Sequence, residues 1–566
     1  MASLLNYEPV ALTFGTSGLR GLVKDITDLE AYVNVKGAIR YLLAAGDIHP
    51  GSTVVLAGDL RPSTERIMRA SARAIGDAGC VVENAGTIPT PALVAHAIAG
   101  ARAGVMVSGS HIPFDRNGIK LNKSGGEVLK ADEAGIAAEV ARVRAEEYGA
   151  AATQSAFDAS GAMKHTSSLP PLDRAAEDGY VRRYVTAFAP GALAGQRIVV
   201  YQHSAVGRDV LPRILRELGA EVVTAGRTET FVPIDTENIT DDELDRLAAM
   251  VAAVEKDSGP VHALVSTDGD SDRPLVLAVV PAFEADARGR RVRFLPGDLL
   301  GIVVAEYLGA DAAVVPVSAN DAVERRMRDR GVLLQKTRIG SPYVIAAIDA
   351  LKRRGTRGTI LGWEANGGFL TGTDVALAHG TLRALPSRDS TLPILATLLA
   401  AVEARVGLSA LWSRLPARFG RSGLIDEFPV AASKAILGEL VPAGAVVETQ
   451  FEPSGAVSHR EGPEGATTEL LDPARSAWHR VRAACARFFT PALGFDEVVR
   501  INVLDGVRIT FRNGDVAHVR PSGNAPQLRI YANSDTQARA DQIVEHGLRE
   551  PDGILRQMQR AFASAD

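Results

Sequence analysis

Hydrophobic and polar positions follow one recurring order through the first three quarters of the chain. A short apolar run comes first, then a turn of Gly, Pro, Ser or Asn, then a stretch with helical spacing. The runs Thr53–Ala57, Cys80–Glu83 and Ala103–Val107 read as buried strands, because they are short, continuous and bounded by turn residues. Between the first two, Thr64–Ala78 reads as an amphipathic helix, and Ala131–Glu146 as a helix that closes the segment. The order returns at Ile198–Tyr201, Arg208–Leu218, Glu221–Thr224, Asp241–Val254 (capped by Thr240) and Ala263–Val265. It returns again at Leu299–Leu308, Ala313–Val317, Asp321–Arg330 and Thr359–Leu361. Strand, helix and strand at this spacing predict parallel pairing with right-handed crossovers. Ligands in such sheets bind beyond the carboxyl ends of the strands.

Beyond about Leu415 the texture changes. Val498–Leu504, Val507–Phe511 and Val516–Val519 alternate around Asp505-Gly506 and Asn513-Gly514, two strong hairpin signals, and Leu528–Ala532 follows as a strand. The expected architecture is three similar mixed-sheet α/β domains followed by an α+β C-terminal domain, around a central cleft. The boundaries fall at 1–175, 176–296, 297–414 and 415–566. Residues 150–178, polar and rich in Ser, Ala and Pro, read as a linker, and 453–469 as an exposed insertion.

Composition narrows the function classes. The chain has 566 residues, too many for one core, and 46% hydrophobic with 23% charged residues is ordinary for a globular protein. A net charge of −5 gives no basic footprint, so no nucleic-acid partner is expected. No apolar stretch reaches the ~18 residues that read as a span, so no membrane association is expected. Two distant cysteines, Cys80 and Cys485, match no metal spacing and exclude a disulfide framework, which points to the cytoplasm. Met1–Phe14 includes Glu8 and no basic start, so it does not read as a signal peptide.

The chemistry concentrates in loops at strand ends. Ser110 and His111 stand in a Gly/Pro loop after Ala103–Val107, with Asn117 and Lys120 close behind. A serine hydroxyl becomes a nucleophile when a neighbour takes its proton or a cation stabilises developing charge. A polar turn with a capping serine is the alternative there. Upstream, Arg20 supplies a charged fork in the glycine-rich stretch Thr13–Gly21, whose backbone suits close approach to an anion. Asp268, Asp270 and Asp272 alternate at a strand end, a spacing that can ligate one hard divalent cation. Arg273 and Val279 occupy the places where an EF-hand needs Gly and Glu, so that reading fails and a plain acidic turn is the alternative. Arg520, Ser522, Gly523 and Asn524 combine donors suited to a phosphate monoester, against a simple Pro-Ser-Gly turn. Glu364 and Asn366, set among glycines, suit vicinal sugar hydroxyls or a helix-capping turn.

Taken together and in order, these loops resemble the α-D-phosphohexomutase family, which contains the bacterial phosphomannomutases and phosphoglucomutases. The family's Thr-Ala-Ser-His-Asn-Pro stretch looks like Ser108–Pro113, and its Asp-Gly-Asp-x-Asp-Arg stretch is matched fully by Asp268–Arg273. Its sugar loop, Gly-Glu-x-Ser-Gly-His, is similar to Glu364–Gly368, and its phosphate loop, Arg-x-Ser-Gly-Thr-Glu-Pro, to Arg520–Pro526. The resemblance implies a phosphoserine at Ser110 and one magnesium ion per chain on Ser110, Asp268, Asp270 and Asp272. It implies interconversion of hexose 1-phosphate and hexose 6-phosphate through a 1,6-bisphosphate, which also serves as activator. It makes Arg20, His111 and Lys120 candidates for proton handling and charge stabilisation. Lys120 serves as general acid or base if Arg273 and the metal depress its pKa. Arg273, Glu364, Asn366, Arg520, Ser522, Gly523 and Asn524 are the candidate substrate contacts. Among the departures from the pattern are Ile112 for Asn, Asn366 for Ser and Gly368 for His. The motif set favours mannose phosphate, with glucose and then glucosamine phosphate as alternatives. A non-catalytic sugar-phosphate-binding protein and a phosphoserine hydrolase are the competing classes. A monomer or homodimer is expected.

Overall fold

The computed structural model describes residues 5–562, apart from 16–17, 152, 166–167, 238, 462–466, 471, 473 and 523–525. Two compact units result, one of residues 1–311 and 341–412, the other of residues 312–340 and 413–566.

The first unit carries the expected α/β repeats. Ala103–Val107, Thr53–Gly58 and Val81–Thr87 pair in parallel, as their apolar runs imply. Leu19–Leu22 and Arg116–Lys123 extend the same sheet antiparallel, making it mixed. Neither has an apolar run to announce it. In Arg116–Lys123 the buried side chains include Asn117, Lys120 and Asn122; Asn117 donates to Ser63 and Thr64 on one face, and Lys120 reaches Asp270 and Asp272 on the other. In a second sheet, Ala263–Thr267, Arg197–His203 and Glu221–Arg227 are parallel, and Pro274–Val279 folds back on Ala263–Thr267 as a hairpin. The acidic loop at 268–273 is therefore a hairpin connection. Helix Asp241–Ser258 starts where expected, with Thr240 accepting from the Glu243 amide at 3.3 Å. Ile360–Trp363, Phe369–Thr371 and Leu385–Asp389 form a third, antiparallel group. The helix Thr391–Glu403 beside them is apolar nearly all round and correspondingly buried.

The segment 150–178 is not a free linker. Phe157 is fully buried in the core of the first sheet, its ring edge-on to Tyr32 at 5.1 Å. Phe157 bridges Met163, Leu172 bridges Asn84, and the Asn84 amide donates to Pro170 O at 2.9 Å. A single aromatic among small polar residues anchors the segment, and the averaged composition hides it.

In the second unit, Ala312–Pro316 and Leu333–Thr337 pair in parallel across helix Asp321–Asp329. The C-terminal sheet is antiparallel, ordered Phe419–Ile425, Leu528–Ser534, Val516–Pro521, Val507–Phe511, Val498–Asn502, Val446–Phe451, Val457–Glu461 and Thr467–Glu469. The two hairpins read from Asp505-Gly506 and Asn513-Gly514 are present in register. The expected insertion at 453–469 instead supplies the last two strands, and Val457 reaches the core that holds Trp478, Phe489 and Phe511. Polar edge strands carry little apolar signal, which is why composition misreads them. Both cysteines are free and buried, and among the described residues no helix is long and apolar enough to cross a membrane.

Two outcomes follow from this packing. Phe157→Ala removes a fully buried ring, so urea melts of the variant should show a loss of about 3–5 kcal/mol; a surface linker would lose almost nothing. His518 is buried, its Nε2 at 2.6 Å from Asp505 O, and burial with Arg508 nearby lowers its pKa to about 4. The unfolded ring binds its proton near 6.5, so stability present above that pH is lost as pH falls toward 4, by on the order of 3 kcal/mol. Ring-proton NMR should place the His518 midpoint near 4, and His518→Gln should flatten the acid limb of the stability curve.

Candidate active site

The loop after Ala103–Val107 is held by its backbone. Ser110 adopts φ +55°, a left-handed conformation rare for a residue with a Cβ, and is completely buried. Its amide donates to Ser108 Oγ at 2.8 Å, and Ser108 Oγ donates to Asp59 Oδ2 at 2.8 Å. Arg61 does most of the holding. Its guanidinium donates to Ser110 O at 2.8 Å, Ile112 O at 2.6 Å, Pro113 O at 2.6 Å and Arg116 O at 2.9 Å. Its Nε pairs with Asp59 at 3.1 Å, and its plane lies over the Phe231 ring at 4.0 Å. Glycine at 109 lets that guanidinium lie close against the loop, since a Cβ there would sit 2.7 Å from the Arg61 guanidinium carbon.

Across from Ser110 stands the acidic hairpin loop, with Ser271 also left-handed at φ +57°. Ser110 Oγ donates to Asp268 Oδ2 at 2.7 Å. Asp268 Oδ1 accepts from the amides of Asp272 and Arg273, both at 3.2 Å. Asp270 Oδ2 accepts from Thr90 Oγ1 at 2.8 Å and from Lys120 Nζ at 2.5 Å. Asp272 Oδ2 accepts from Lys120 at 2.8 Å and from Arg388 Nη2 at 2.8 Å. The other oxygens of Asp270 and Asp272 are buried with no hydrogen-bond partner. One oxygen from each of the three carboxylates lies within 4.8 Å of the others. Two orphaned carboxylate oxygens this close to a third carboxylate suit a hard divalent cation.

The charges around them decide the protonation states. Burial raises Asp268, and the neighbouring Asp270 and Asp272 raise it further. For Asp272 burial acts the same way but is outweighed by Arg388, Lys120 and Arg273, so it stays ionised. Burial alone would lower Lys120, yet Asp270 and Asp272 hold its ammonium above the ordinary value. The general acid/base reading turns on a depression that Arg273 and a cation would have to supply against these two carboxylates. His111 falls to about 2, through burial and then Arg273 and Arg20, so its ring is neutral. Its Nδ1 lies 2.8 Å from Arg273 Nη1 and 3.4 Å from Ser110 Oγ. Arg20 is lowered to about 10 by burial, Arg273 and Arg388, and stays charged at neutral pH.

The sugar-loop residues Glu364 and Asn366 follow strand Ile360–Trp363. Glu364 Oε2 accepts from Arg388 Nη1 at 3.3 Å, while Asn366 Oδ1 accepts from the Gly368 amide at 2.9 Å and so shapes its own loop. In the second unit Arg520 pairs through Nε with Asp505 Oδ1 at 2.8 Å, and the Ser522 amide donates to Gln527 O at 2.9 Å. Gly523 and Asn524 lie outside the described residues. The structure brings Ser110, His111, Lys120, Arg20, Arg273 and the three aspartates close together. Sequence reasoning missed Asp59, Arg61, Thr90 and Arg388. The first three sit at strand and helix ends in Asp59-Leu-Arg-Pro-Ser63 and Thr87–Pro91, turns whose composition marked them only as punctuation.

A buried serine facing a carboxylate triad, on sheets of this order, defines a phosphoryl-transferring enzyme with a metal-binding loop. Four family models, all described as phosphoglucomutase/phosphomannomutase, match the chain. They are alpha/beta/alpha domain I at 11–147, II at 178–279, III at 296–419 and the C-terminal domain at 469–547. A phosphomannomutase of Sinorhizobium fredii is 36% identical over 94% of this chain and 98% of its own length. One from Salmonella muenchen is 34% identical over 94% of each. The crystal structure of a phosphoglucomutase/phosphomannomutase family protein from Burkholderia thailandensis shares the fold at TM-score 0.62, with 18% identity over 97% of this chain and 98% of its own. The chain belongs to the phosphoglucomutase/phosphomannomutase family and is a mutase.

Arg61→Met tests the backbone grip. Amide exchange across 108–116 should quicken by about tenfold or more, and the phosphoryl-transfer rate should fall about 100-fold from misplacement of Ser110. Arg61→Lys should restore little, because a point donor cannot reach four carbonyls at once.

Proposed function

We propose that the chain interconverts hexose 1-phosphate and hexose 6-phosphate, with mannose phosphate the preferred pair. The observation that carries this reading is the Ser110 hydroxyl, 2.7 Å from Asp268 in a pocket of buried acids and guanidinium groups. In the working state Ser110 carries a phosphoryl group. The substrate's O6 takes that group as the serine ester bond breaks, giving a hexose 1,6-bisphosphate and a free serine. After the intermediate turns over, Ser110 Oγ takes the phosphoryl group from O1, and hexose 6-phosphate leaves. Asp268, Asp270, Asp272 and the phosphorylated Ser110 would hold one magnesium ion, which would offset charge on the transferring group.

The chain's own residues do the positioning. Arg61 and Ser108 fix the serine, and Arg20, Arg273 and Lys120 surround the phosphoryl oxygens with positive charge. Lys120, held by two carboxylates, is the group placed to exchange a proton once one of them is engaged elsewhere. Neutral His111 takes a hydrogen bond from Arg273 and so orients it beside Ser110. Glu364 and Asn366 receive the sugar hydroxyls, and Arg520, Ser522, Gly523 and Asn524 hold the phosphate that is not reacting. The four-domain division at 175, 296 and 414 would give one loop to each domain. A hexose 1,6-bisphosphate primes unphosphorylated enzyme, which works as a monomer or homodimer in the cytoplasm. The preference for mannose is supported by relatives named phosphomannomutase that match nearly end to end.

A coupled assay with magnesium and a trace of 1,6-bisphosphate, comparing mannose 1-phosphate with glucose 1-phosphate, tests the reading. Turnover should favour mannose in kcat/KM and drop by at least about 10⁴-fold in Ser110→Ala, where no phosphoenzyme forms. Activity that survives in the alanine variant sinks the mechanism. Phosphate release without isomerisation would make the protein a hydrolase.

A further inference from the structure

Arg388 joins a carboxylate of the metal loop to one of the sugar loop by hydrogen bonds. It ends strand Leu385–Asp389 and is 2% exposed. Nε and Nη2 donate to Asp272 Oδ2 at 3.1 and 2.8 Å, and Nη1 donates to Glu364 Oε2 at 3.3 Å. The strand end that carries it is pinned on both sides. Asp389 accepts from Tyr180 Oη at 2.6 Å, from Tyr184 Oη and from the Thr391 amide. Ser390 Oγ donates to Ser271 O, in the metal loop itself, at 2.6 Å. The stem of Arg388 runs directly against Gly368. A Cβ on residue 368 would lie 2.6 Å from its Cδ and 2.8 Å from its Cγ. The missing side chain at 368 and the arginine at 388 are thus one arrangement, since the first clears the path of the second.

We propose that Arg388 couples the two loops, so that a divalent cation at Asp268, Asp270 and Asp272 and a sugar phosphate at Glu364 strengthen each other's binding through one guanidinium. This rests on the metal and sugar sites assigned above. Either ligand fixes one carboxylate, the guanidinium follows, and the second carboxylate is already ordered when its own ligand arrives. The ordering cost is met once for two ligands, which is positive coupling and necessarily reciprocal. The bond to Asp272 is bidentate and short while that to Glu364 is single and long. A cation drawing on Asp272 frees the guanidinium to tighten on Glu364. Arg388 is a positioning residue in this role.

The test uses the full chain with Ser110 unphosphorylated, so that no phosphoryl group is available to pass on. Manganese binding is followed by electron paramagnetic resonance with and without saturating mannose 1-phosphate, and sugar binding by calorimetry with and without manganese. In the wild type each ligand should tighten the other by the same factor, about 5-fold or more. In Arg388→Met both should still bind, with the factor near one. Arg388→Lys keeps the charge but cannot fork between two carboxylates, so its factor should also fall. Gly368→Ala pushes on the stem without removing the guanidinium and should give an intermediate factor with a native circular dichroism spectrum. A wild-type factor of one, or an undiminished factor in the arginine variants, overturns the proposal. Failure of the wild type to bind manganese or the sugar phosphate at all overturns the site assignments beneath it, and is read directly from the single-ligand titrations.

Discussion

Three carboxylates buried within a few ångströms of one another cannot stay ionised unless positive charge is brought to them. Asp268, Asp270 and Asp272 impose that condition on everything nearby. Lys120 is drawn from one strand, Arg273 from the same hairpin and Arg388 from another strand, each buried; Lys120 and Arg388 are hydrogen-bonded to the aspartates, and Arg273 lies 3.7 Å from Asp272. Charges withdrawn from water are stabilising only when their partners are geometrically well placed. The sheets supply that geometry, because strand ends are among the least mobile positions a fold offers. The cost of the arrangement is concentrated in Asp268, the carboxylate that faces Ser110 and is pushed toward protonation. A cation and a phosphoryl group relieve it together.

The same constraint explains the division of labour between oxygens. On Asp270 and Asp272 one oxygen is saturated by donors and the other has none. Donors on one side therefore decide which face of each carboxylate is presented, before any ligand arrives. Preorganisation of this kind is what phosphoryl transfer asks of a protein, since most of its catalysis is placement and charge.

Much of this was legible from residues alone. Parallel strands announce themselves by apolar runs, and the hairpins by Asp-Gly and Asn-Gly, so the repeated α/β units and the antiparallel C-terminal sheet could be read directly. The loops at the strand ends were legible because their residues carry chemistry at fixed spacing. What stayed hidden has physical reasons. Arg116–Lys123 is a central strand rich in polar residues, of which Asn117 is buried against Ser63 and Thr64 and Lys120 against the acidic loop. Phe157 anchors a segment whose average composition says linker. Arg388 looked like an ordinary charge before Asp389, and only three-dimensional proximity shows it between Asp272 and Glu364. The sequence could not show that Lys120 is in contact with two of the carboxylates, which hold its ammonium up and which Arg273 and a cation would have to outweigh.

Arg61 grips the loop around Ser110 through main-chain oxygens alone: those of residues 110, 112, 113 and 116. Every amino acid presents that same oxygen. The shape of the loop is thus insulated from the identity of its side chains, and Ile112 can stand where the family pattern has Asn while Phe114 points outward, 63% exposed. Sequence drift along this stretch is therefore a poor guide to loss of the nucleophile's geometry, whereas a change at residue 61, outside the recognisable motif, would be a good one.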